Sequence, residues 1–261
     1  MRIEAMQWNI GAGKIATKEG SDLRHDASYD TEDLDYIERR IRLYDPDIIT
    51  LQEVHKGVNG DQAQEIASVL GYEHLHVFSH SVSHIDPEYE LSQAIICRFP
   101  MPPEYTSFHL LADVGVRILH NGEVQDLHEK GVIVTTADLG DDQKMHLVTT
   151  HMHPFRRFKI ALDSDTAKRT FAGFAKIMET LDQSVPCITQ GDFNIDKNSL
   201  MECFPKLFEG GFSEVVQIEP TSPRGSTPDH VLYRRLKHLG SRVDNNVLTD
   251  HYPIISRFEI V

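Results

Sequence analysis

One buried strand that ends in a polar tip constrains this chain more than any other feature. An apolar run at residues 185–188 leads directly into Gln190-Gly191-Asp192-Phe193-Asn194. Gly191 lets the backbone turn without a side chain in the way. Because residues two apart in an extended strand point to the same side, we expect Asp192 and Asn194 to project together. A carboxylate and an amide there suit a hard metal ion or a phosphate oxygen, although ordinary turn chemistry uses the same residues.

Polar side chains also stand at the ends of other predicted strands. They are Asn9, Glu53, His151, Asp229 and the pair Asp250-His251. Each of them alone has an ordinary interpretation as a turn or surface residue. Polar groups crowded at strand ends are what a single catalytic face requires, so we expect these side chains to meet in the fold.

The hydrophobic pattern is rich in strands and contains a few helices. Helical periodicity predicts helices that begin near residues 33, 61 and 164. The strongest hairpin signal is Asn121-Gly122, and a second antiparallel pair is predicted at residues 131–137 and 145–150. The pattern favours an α/β sandwich with mixed sheets over a purely parallel, doubly wound sheet.

The charge of the chain limits the classes of partner. A formal net charge of −14 over 261 residues argues against a broad, nonspecific grip on duplex DNA. It does not exclude a nuclease, because a bound metal would offset a cluster of carboxylates.

The sequence has no segment that could span a membrane and no apolar signal-peptide core at its start. Its three cysteines are too few for a disulfide framework. We therefore expect a cytoplasmic protein.

The order and spelling of six motifs resemble the endonuclease/exonuclease/phosphatase family. That family includes pancreatic-type deoxyribonucleases, abasic-site endonucleases, neutral sphingomyelinases, inositol polyphosphate 5-phosphatases and deadenylases. The motifs are Trp8-Asn9-Ile10, Leu51-Gln52-Glu53-Val54, Thr150-His151-Met152, Gly191-Asp192-Phe193-Asn194, Pro228-Asp229-His230-Val231 and Thr249-Asp250-His251-Tyr252-Pro253. The resemblance implies a deoxyribonuclease I-like α/β fold, α+β by some schemes: a four-layer sandwich of two packed mixed β-sheets flanked by helices. Since the motifs come from both ends of the chain, the resemblance implies a single domain over residues 1–261.

The same resemblance implies a hydrolase that cleaves phosphate esters by metal-assisted attack of water. Glu53 would be the principal ligand of Mg²⁺, or of Mn²⁺, and Asn9 and Asp250 would complete or support that site. Asp192 would orient the attacking water or bind a second ion, and Asn194 would hold a phosphate oxygen. Mg²⁺ suits this set because it prefers oxygen ligands and needs only one or two carboxylates.

Two histidines complete the implied catalytic set. His251 would be the general base or a stabiliser of the transition state, polarised by Asp229. His151 would donate to the phosphate or the leaving group, and Glu90 is the candidate for the glutamate that partners this histidine in the deoxyribonuclease branch. His153 is the alternative candidate for the role of His151, because it faces the same side of the strand if the strand continues.

The substrate stays open between a small molecule, a lipid headgroup and nucleic acid, either DNA or RNA. Residues 79–90 and 105–130 are predicted to form the variable rims of the site. A basic cluster after His151 is either a solvated helix entry or a phosphate-facing patch; its members are Arg156, Arg157, Lys159 and Arg169. The alternative function is a catalytically idle family member that binds a phosphorylated ligand. Intact core motifs favour the enzyme.

Overall fold

A computed structural model describes residues 1–18, 22–110, 116–118, 124–126, 129–196, 200–217 and 219–261, with backbone alone at 116–118 and 124–126. The helices in these ranges are α1 (Leu34–Arg42), α2 (Gln62–Leu70), α3 (Asp165–Glu179), α4 (Leu200–Cys203) and α5 (Pro205–Glu209). The strands are β1 (Arg2–Asn9), β2 (Lys14–Ile15), β3 (Thr31–Glu32), β4 (Ile48–Gly57), β5 (Gly60–Asp61), β6 (His74–Val82), β7 (Glu90–Cys97), β8 (Thr106–Leu110), β9 (Val116–Ile118), β10 (Val124–Asp126), β11 (Lys130–Gly140), β12 (Gln143–His151), β13 (Cys187–Asp192), β14 (Ser213–Glu214), β15 (Asp229–Arg234), β16 (Leu236–Val243) and β17 (Ile254–Ile260).

Two large mixed sheets form the frame of the molecule. The first has the strand order β16-β17-β1-β4-β7-β6, with β5 beside β4, and the second has the order β14-β15-β13-β12-β11-β8. The pairs β1–β4 and β12–β13 are parallel, whereas the other neighbours in these two sheets are antiparallel. The predicted pairing of residues 131–137 with 145–150 is confirmed in β11 and β12.

Three apolar clusters hold the sheets and helices in four layers. One cluster fills the space between the sheets, where Ile3 and Ile48 of the first sheet join Ile188 and Val231 of the second. Another packs α1 and α2 on the outer face of the first sheet, and the third packs α3, α4 and α5 outside the second. Each fully buried Ile or Leu side chain contributes about 1.5–3 kcal/mol through the hydrophobic effect. The implied deoxyribonuclease I-like sandwich is confirmed.

The helices begin where the sequence supplies capping side chains. Asp33 accepts a hydrogen bond from the backbone N–H of Tyr36 at the start of α1, and Asp61 caps α2 in the same way. Ser164 caps α3, the helix that its apolar face predicts most clearly. These acceptors satisfy backbone N–H groups that have no partner within the first turn, so the three predicted helix starts are confirmed.

Gly191 lies inside β13 and not at a turn. A Cβ atom there would lie 2.0 Å from the carbonyl oxygen of Thr150 on the parallel neighbour β12. The prediction that Gly191 lets the chain turn is therefore wrong. Its missing side chain lets two backbones approach, and the left-handed turn follows at Asn194, whose φ is 52°.

Other predicted elements differ in extent. The strand predicted to end before Glu53 continues as β4 to Gly57, with a bulge between Leu51 and Val54. Of the strand predicted at 213–218, the described residues 213–217 contain β14 alone. Asn121-Gly122 lies outside the described residues, although β9 and β10 on either side pair antiparallel. No helix in the described ranges combines the length and the apolar character needed to cross a membrane.

Candidate active site

Cross-strand register brings three of the predicted residues into one row. His151 lies opposite Asp192 in the β12–β13 pair, and Asp192 lies opposite Asp229 in the β13–β15 pair. Asp229 opens β15 and Asp192 closes β13, and the antiparallel pairing brings these two strand ends to the same edge. Lys130 begins β11, the next strand beyond His151, and so lies beside the same row.

The first sheet faces this row with polar side chains of its own. The inner face of β1 carries Ile3, Ala5, Gln7 and Asn9, so the layer between the sheets changes from apolar to polar towards one edge. Asn9 Nδ2 donates a 3.1 Å hydrogen bond to Asp192 Oδ2 across the two sheets. Glu53 projects from the bulge of β4 with φ at 53°, a conformation that is uncommon for a residue with a side chain. Such strain typically accompanies bulges beside active sites.

His251 and Asp229 form a buried hydrogen-bonded pair. His251 Nδ1 lies 2.8 Å from Asp229 Oδ2. Asp229 also accepts hydrogen bonds from Thr221 Oγ1 at 2.7 Å and from Gln7 Nε2 at 3.0 Å. Burial lowers the pKa of His251, but the charge and hydrogen bond of Asp229, together with the charges of Asp250 and Asp192, outweigh that effect and raise the pKa to about 10. The raised pKa favours the imidazolium form of His251, whose second nitrogen, Nε2, lies 3.9 Å from Asp192 Oδ2.

The structure does not bring Glu90 to His151. Glu90 is exposed at the start of β7, in register with Lys56 and Val82. The carboxylates within 4.0 Å of His151 Nε2 in the described chain belong to Asp192, at 3.5 Å, and Glu53, at 3.8 Å. The geometry thus offers His151 two site carboxylates in place of the predicted partner.

His153, the competing histidine, points away from this group. β12 ends at His151, so the alternation of an extended strand does not carry over to His153. His153 Nε2 donates to the carbonyl oxygen of Leu110, and burial lowers the pKa of His153 to about 4. The choice of His151 over His153 agrees with this placement.

Lys130 is a site residue that the sequence patterns did not single out. Its Nζ lies 3.0 and 3.3 Å from the two ring nitrogens of His151 and 4.0 Å from Glu53 Oε1. Burial lowers the pKa of Lys130 below its usual value, and the charges of Glu53 and Asp192 offset this only in part. Burial and Lys130 both lower the pKa of His151, which keeps that ring neutral near pH 7. No motif marks Lys130, and only the β11–β12 register places it here.

These side chains surround a cavity of about 340 Å³. The predicted residues that line it are Glu53, His151, Asp192, Asn194, Asp250 and His251. Other lining side chains, which no motif singled out, include Lys14, Tyr29, His84, Lys130 and Phe158, and of these His84 and Lys130 lie in the two segments predicted as rims. Asn9 and Asp229 are 1% and 0% exposed and support the lining residues from behind. Arg157 is the member of the predicted basic cluster that lines the cavity.

Asn194 reaches the cavity by a different route from the one expected. Its positive φ breaks the extended geometry, and its backbone N–H donates to Asp192 Oδ1 at 2.8 Å. Its side-chain Nδ2 donates to the carbonyl oxygen of Met152 at 2.9 Å. Asp192 and Asn194 therefore share the cavity through a local turn. This stretch therefore forms a turn, and its Asp192 and Asn194 both line the cavity.

The cavity contains a set of oxygen donors that fits a divalent cation. Burial raises the pKa values of Asp192 and Asp250. Burial also raises the pKa of Glu53, but nearby cations, His84 first, outweigh it and lower this pKa to about 2. Clustered carboxylates around one cavity repel each other, and a bound cation would remove that repulsion.

A buried group of Asp192, Asp229 and His251 also places one potential ligand atom of each within 4.8 Å of the others. Asp229 already accepts from three donors, and His251 Nδ1 is one of them. Glu53, Asp192 and Asp250 line the cavity and are therefore better placed to hold an ion than Asp229 is.

The sandwich with buried carboxylates and histidines at one edge places the chain among deoxyribonuclease I-like proteins. The sequence model of the Endonuclease/Exonuclease/phosphatase family matches residues 6–251, and the chain belongs to that family. Its members are generally hydrolases that act on phosphodiester bonds.

Solved structures of low sequence identity share this fold. An endonuclease/exonuclease/phosphatase from Beutenbergia cavernae is 17% identical, with a TM-score of 0.76 over 99% of this chain and 72% of its own. The human nocturnin catalytic domain with bound sulfate anion is 18% identical, with a TM-score of 0.68 over 100% and 95%. D. rerio TDP2 complexed with single strand DNA product is 12% identical, with a TM-score of 0.62 over 99% of each chain. No curated protein matches the sequence.

Proposed function

We propose that this chain is a Mg²⁺-dependent phosphoesterase that hydrolyses a phosphodiester by attack of water, within one domain over residues 1–261. The observation that carries the proposal is the cavity shared by Glu53, Asp192 and His251, with Asp229 bound to His251 from behind. Carboxylates for a hard cation and a charged histidine in one small cavity suit an anionic phosphate ester.

Glu53 and Asp250 would hold the ion, and Asn9 would orient the carboxylate of Asp192 beside it through their 3.1 Å hydrogen bond. A bound Mg²⁺, or Mn²⁺, neutralises phosphate charge and makes water easier to deprotonate. Glu53 suits this role because its lowered pKa keeps it ionised at neutral pH.

Asp192 is the proposed base that accepts the proton of the attacking water. Burial raises its pKa towards the range in which a base works well near neutral pH. His251 stays protonated through Asp229 and would stabilise the negative charge that develops on the phosphate. Of the two roles open for His251, its raised pKa favours transition-state stabiliser over general base.

His151 and Asn194 are proposed to position the phosphate and the leaving group. The neutral ring of His151 carries one N–H, which can donate to the departing oxygen. Asn194 Nδ2 uses one of its two hydrogens on Met152, and the other has no acceptor among the described residues. That second hydrogen would donate to a phosphate oxygen.

The dimensions of the site favour a compact substrate. A cavity of about 340 Å³ suits a small molecule, a lipid headgroup or the end of a single strand. The net charge of −14 favours the same choice. Single-stranded nucleic acid is the second candidate, because a protein of the same fold, TDP2, is described with a single strand DNA product.

A substrate panel tests the proposal. Purified protein would be assayed with bis(p-nitrophenyl) phosphate, p-nitrophenyl phosphate, sphingomyelin and single-stranded DNA, each with Mg²⁺, Mn²⁺ or a chelator. We expect hydrolysis of at least one phosphodiester that requires the added metal. Binding of a phosphorylated ligand with no turnover on any member would instead support the idle family member.

A further inference from the structure

Part of the cavity lining is apolar, and the proposed reaction does not use it. Tyr29, Ile85 and Phe158 line the same cavity as the carboxylates. Each of the three is half-buried, and none belongs to the apolar clusters that hold the sheets and helices together. Ligand sites are typically lined by apolar and aromatic side chains beside a few polar groups. These three side chains therefore form an apolar surface that lies outside the core of the described chain.

Phe158 shows this separation from the core most clearly. The chain has 12 phenylalanines, all within its described part, and every other one packs in or against an apolar cluster. Phe155 begins the same short turn, Phe155–Phe158, yet it is 1% exposed and its ring centroid lies 5.7 Å from that of Phe171. The turn therefore places one aromatic ring in the core and the other at the cavity.

Local contacts hold the three segments that carry these side chains. Tyr29 Oη donates a hydrogen bond to the carbonyl oxygen of Leu23. The N–H of Ile85 donates to Ser83 Oγ at 3.1 Å, and the buried ring of Phe155 anchors the third segment. Side chains that are held in advance lose little conformational entropy when a ligand binds. The apolar surface is therefore preorganised for binding.

The three segments meet beside the proposed ion site. The charges of Asp26 and Arg157 both act on the pKa of His84. Each of these polar residues lies within three positions of one of the apolar side chains. The charge of Asp250, a proposed ligand of the ion, acts on the pKa of Tyr29. A phosphate ester bound at the ion would therefore place its organic substituent against the apolar surface.

The mixture of apolar and polar side chains indicates which substituent fits. Asp26, His84 and Arg157 line the cavity among the apolar side chains. An acyl chain would cover these polar groups with hydrocarbon, which is unfavourable. A nucleobase has two apolar faces, which stack on aromatic rings, and a polar edge that forms hydrogen bonds. The lining therefore suits a nucleobase better than an aliphatic chain.

We propose that Tyr29, Ile85 and Phe158 form a base subsite that binds an unpaired nucleobase of the substrate, with Phe158 as the stacking surface. This inference rests on the proposed function and deepens it, because it names a nucleotide or the end of a single strand as the substrate. A base within a duplex is already stacked on both faces, so the subsite selects an unpaired base over a paired one.

A binding experiment tests the subsite without turnover of a diester. Thymidine 5′-monophosphate and 1,2-dideoxyribose 5-phosphate, which lacks the base, would be titrated calorimetrically into the wild type with Ca²⁺ present. We expect the compound with the base to bind about tenfold or more tightly, the effect of stacking one base on an aromatic ring. Absence of thymidine 5′-monophosphate binding, or equal affinity for the two compounds, would overturn the subsite.

Three variants assign the preference to the ring of Phe158. Phe158→Leu keeps apolar volume but removes the flat ring, so it should lose most of the preference, whereas Phe158→Tyr should keep it. Tyr89→Leu is the matched control, because Tyr89 is also half-buried and stacks on His55 at 4.8 Å but does not line the cavity. Equal losses in Phe158→Leu and Tyr89→Leu would overturn the role of Phe158.

A kinetic experiment tests the substrate class. Thymidylyl-thymidine would be compared with the same dinucleotide lacking the base on either side of the phosphate, and lysophosphatidylcholine would represent an aliphatic substrate. We expect loss of one base to lower kcat/KM by about tenfold or more in the wild type and Tyr89→Leu, but not in Phe158→Leu. Equal use of the three dinucleotides, or faster use of the lipid, would overturn the inference. A base preference in binding without hydrolysis of any ester would overturn the proposed function and leave the subsite standing.

Discussion

Gln7 Nε2 donates a 3.0 Å hydrogen bond to Asp229 Oδ1 from the opposite sheet. The same nitrogen donates to Gln52 Oε1 at 2.7 Å, and Gln52 Nε2 donates to Thr149 Oγ1 at 2.9 Å. All four side chains are buried. The carboxylate of Asp229 is therefore fixed from one side by Gln7 while its other oxygen binds His251, so both sheets determine the orientation of that histidine.

Gln7→Met should lower kcat more than its effect on stability explains. The substitution leaves Asp229 Oδ1 without its donor, so we expect a loss of about tenfold in kcat with little change in KM. Gln190→Met is the matched control, because Gln190 is equally buried between the sheets but donates to the carbonyl oxygen of Met6. Both variants should lose about 1–3 kcal/mol of stability in urea unfolding. Equal kcat in the two variants would contradict the role of Gln7.

Asp229→Asn should move the alkaline limb of the pH–rate profile to lower pH. Asp229 raises the pKa of His251, and the proposed reaction needs the imidazolium, so the wild-type rate falls as the pH rises through this raised pKa. Without the carboxylate of Asp229, only the charges of Asp250 and Asp192 oppose burial, so the pKa of His251 falls and the rate falls at lower pH. The profile of kcat/KM against pH measures the shift, and an unmoved alkaline limb would show that His251 does not act as a cation.

The sequence predicted the apolar frame well, because that frame depends on local patterns. The β1 alternation of Ile3 and Ala5 with Met6 and Trp8 corresponds to two buried faces, and Asp61 caps α2 where a capping residue was predicted. Glu53 was placed at a strand end because no local signal marks a bulge within an apolar run. Its positive φ is imposed by the surrounding sheet.

The order of the motifs predicted most of the residues of the candidate site. The residues that were overlooked or wrongly chosen share one physical cause. Lys130 reaches His151 through strand register, and His84 comes from a loop that the motifs do not cover. Glu90 was chosen by its position before an apolar strand, yet side chains on an exposed strand start cannot reach the opposite sheet. Long-range pairing decides these contacts, and a single sequence carries little information about it.

Mg²⁺ should raise the melting temperature of the wild type and not that of Glu53→Gln. A ligand at a hundredfold excess over its Kd stabilises the folded state by about 2.7 kcal/mol. Glu53 is ionised at neutral pH and lines the cavity, so its replacement by an amide should weaken the ion site. Glu90→Gln is the control, since Glu90 is exposed and should retain the full shift. Thermal unfolding with and without Mg²⁺ measures both, and an unchanged shift in Glu53→Gln would exclude Glu53 as a ligand.

His230 should stabilise the protein more at low pH than at high pH. Its Nδ1 lies 2.7 Å from Glu214 Oε1 and its Nε2 lies 2.8 Å from the carbonyl oxygen of Ile195. Burial lowers the pKa of His230, but the hydrogen bond and charge of Glu214, with smaller contributions from Ile195 and Asp229, together outweigh burial and raise the pKa. Because the folded-state pKa exceeds the unfolded value of about 6.5, the stabilisation is complete below that pH and is lost as the pH rises through the folded pKa.

Urea unfolding of His230→Gln and His153→Gln between pH 5 and pH 9 checks this sign. The destabilisation caused by His230→Gln should grow as the pH falls. His153 has a pKa lowered to about 4, so its neutral ring is penalised in acid and the destabilisation caused by His153→Gln should shrink as the pH falls. Parallel trends in the two variants would contradict the assignment of His230 as a buried cation.

The central claim is that Asp192 and His251 act in one metal-dependent site, and hydrolysis of bis(p-nitrophenyl) phosphate by the wild type, Asp192→Ala and His251→Ala tests it most directly. With Mg²⁺ present, each variant should lose at least about a hundredfold in kcat/KM, and a chelator should abolish the wild-type activity. Circular dichroism would establish that both variants are folded. Hydrolysis that resists the chelator, or full activity in both folded variants, would contradict the account.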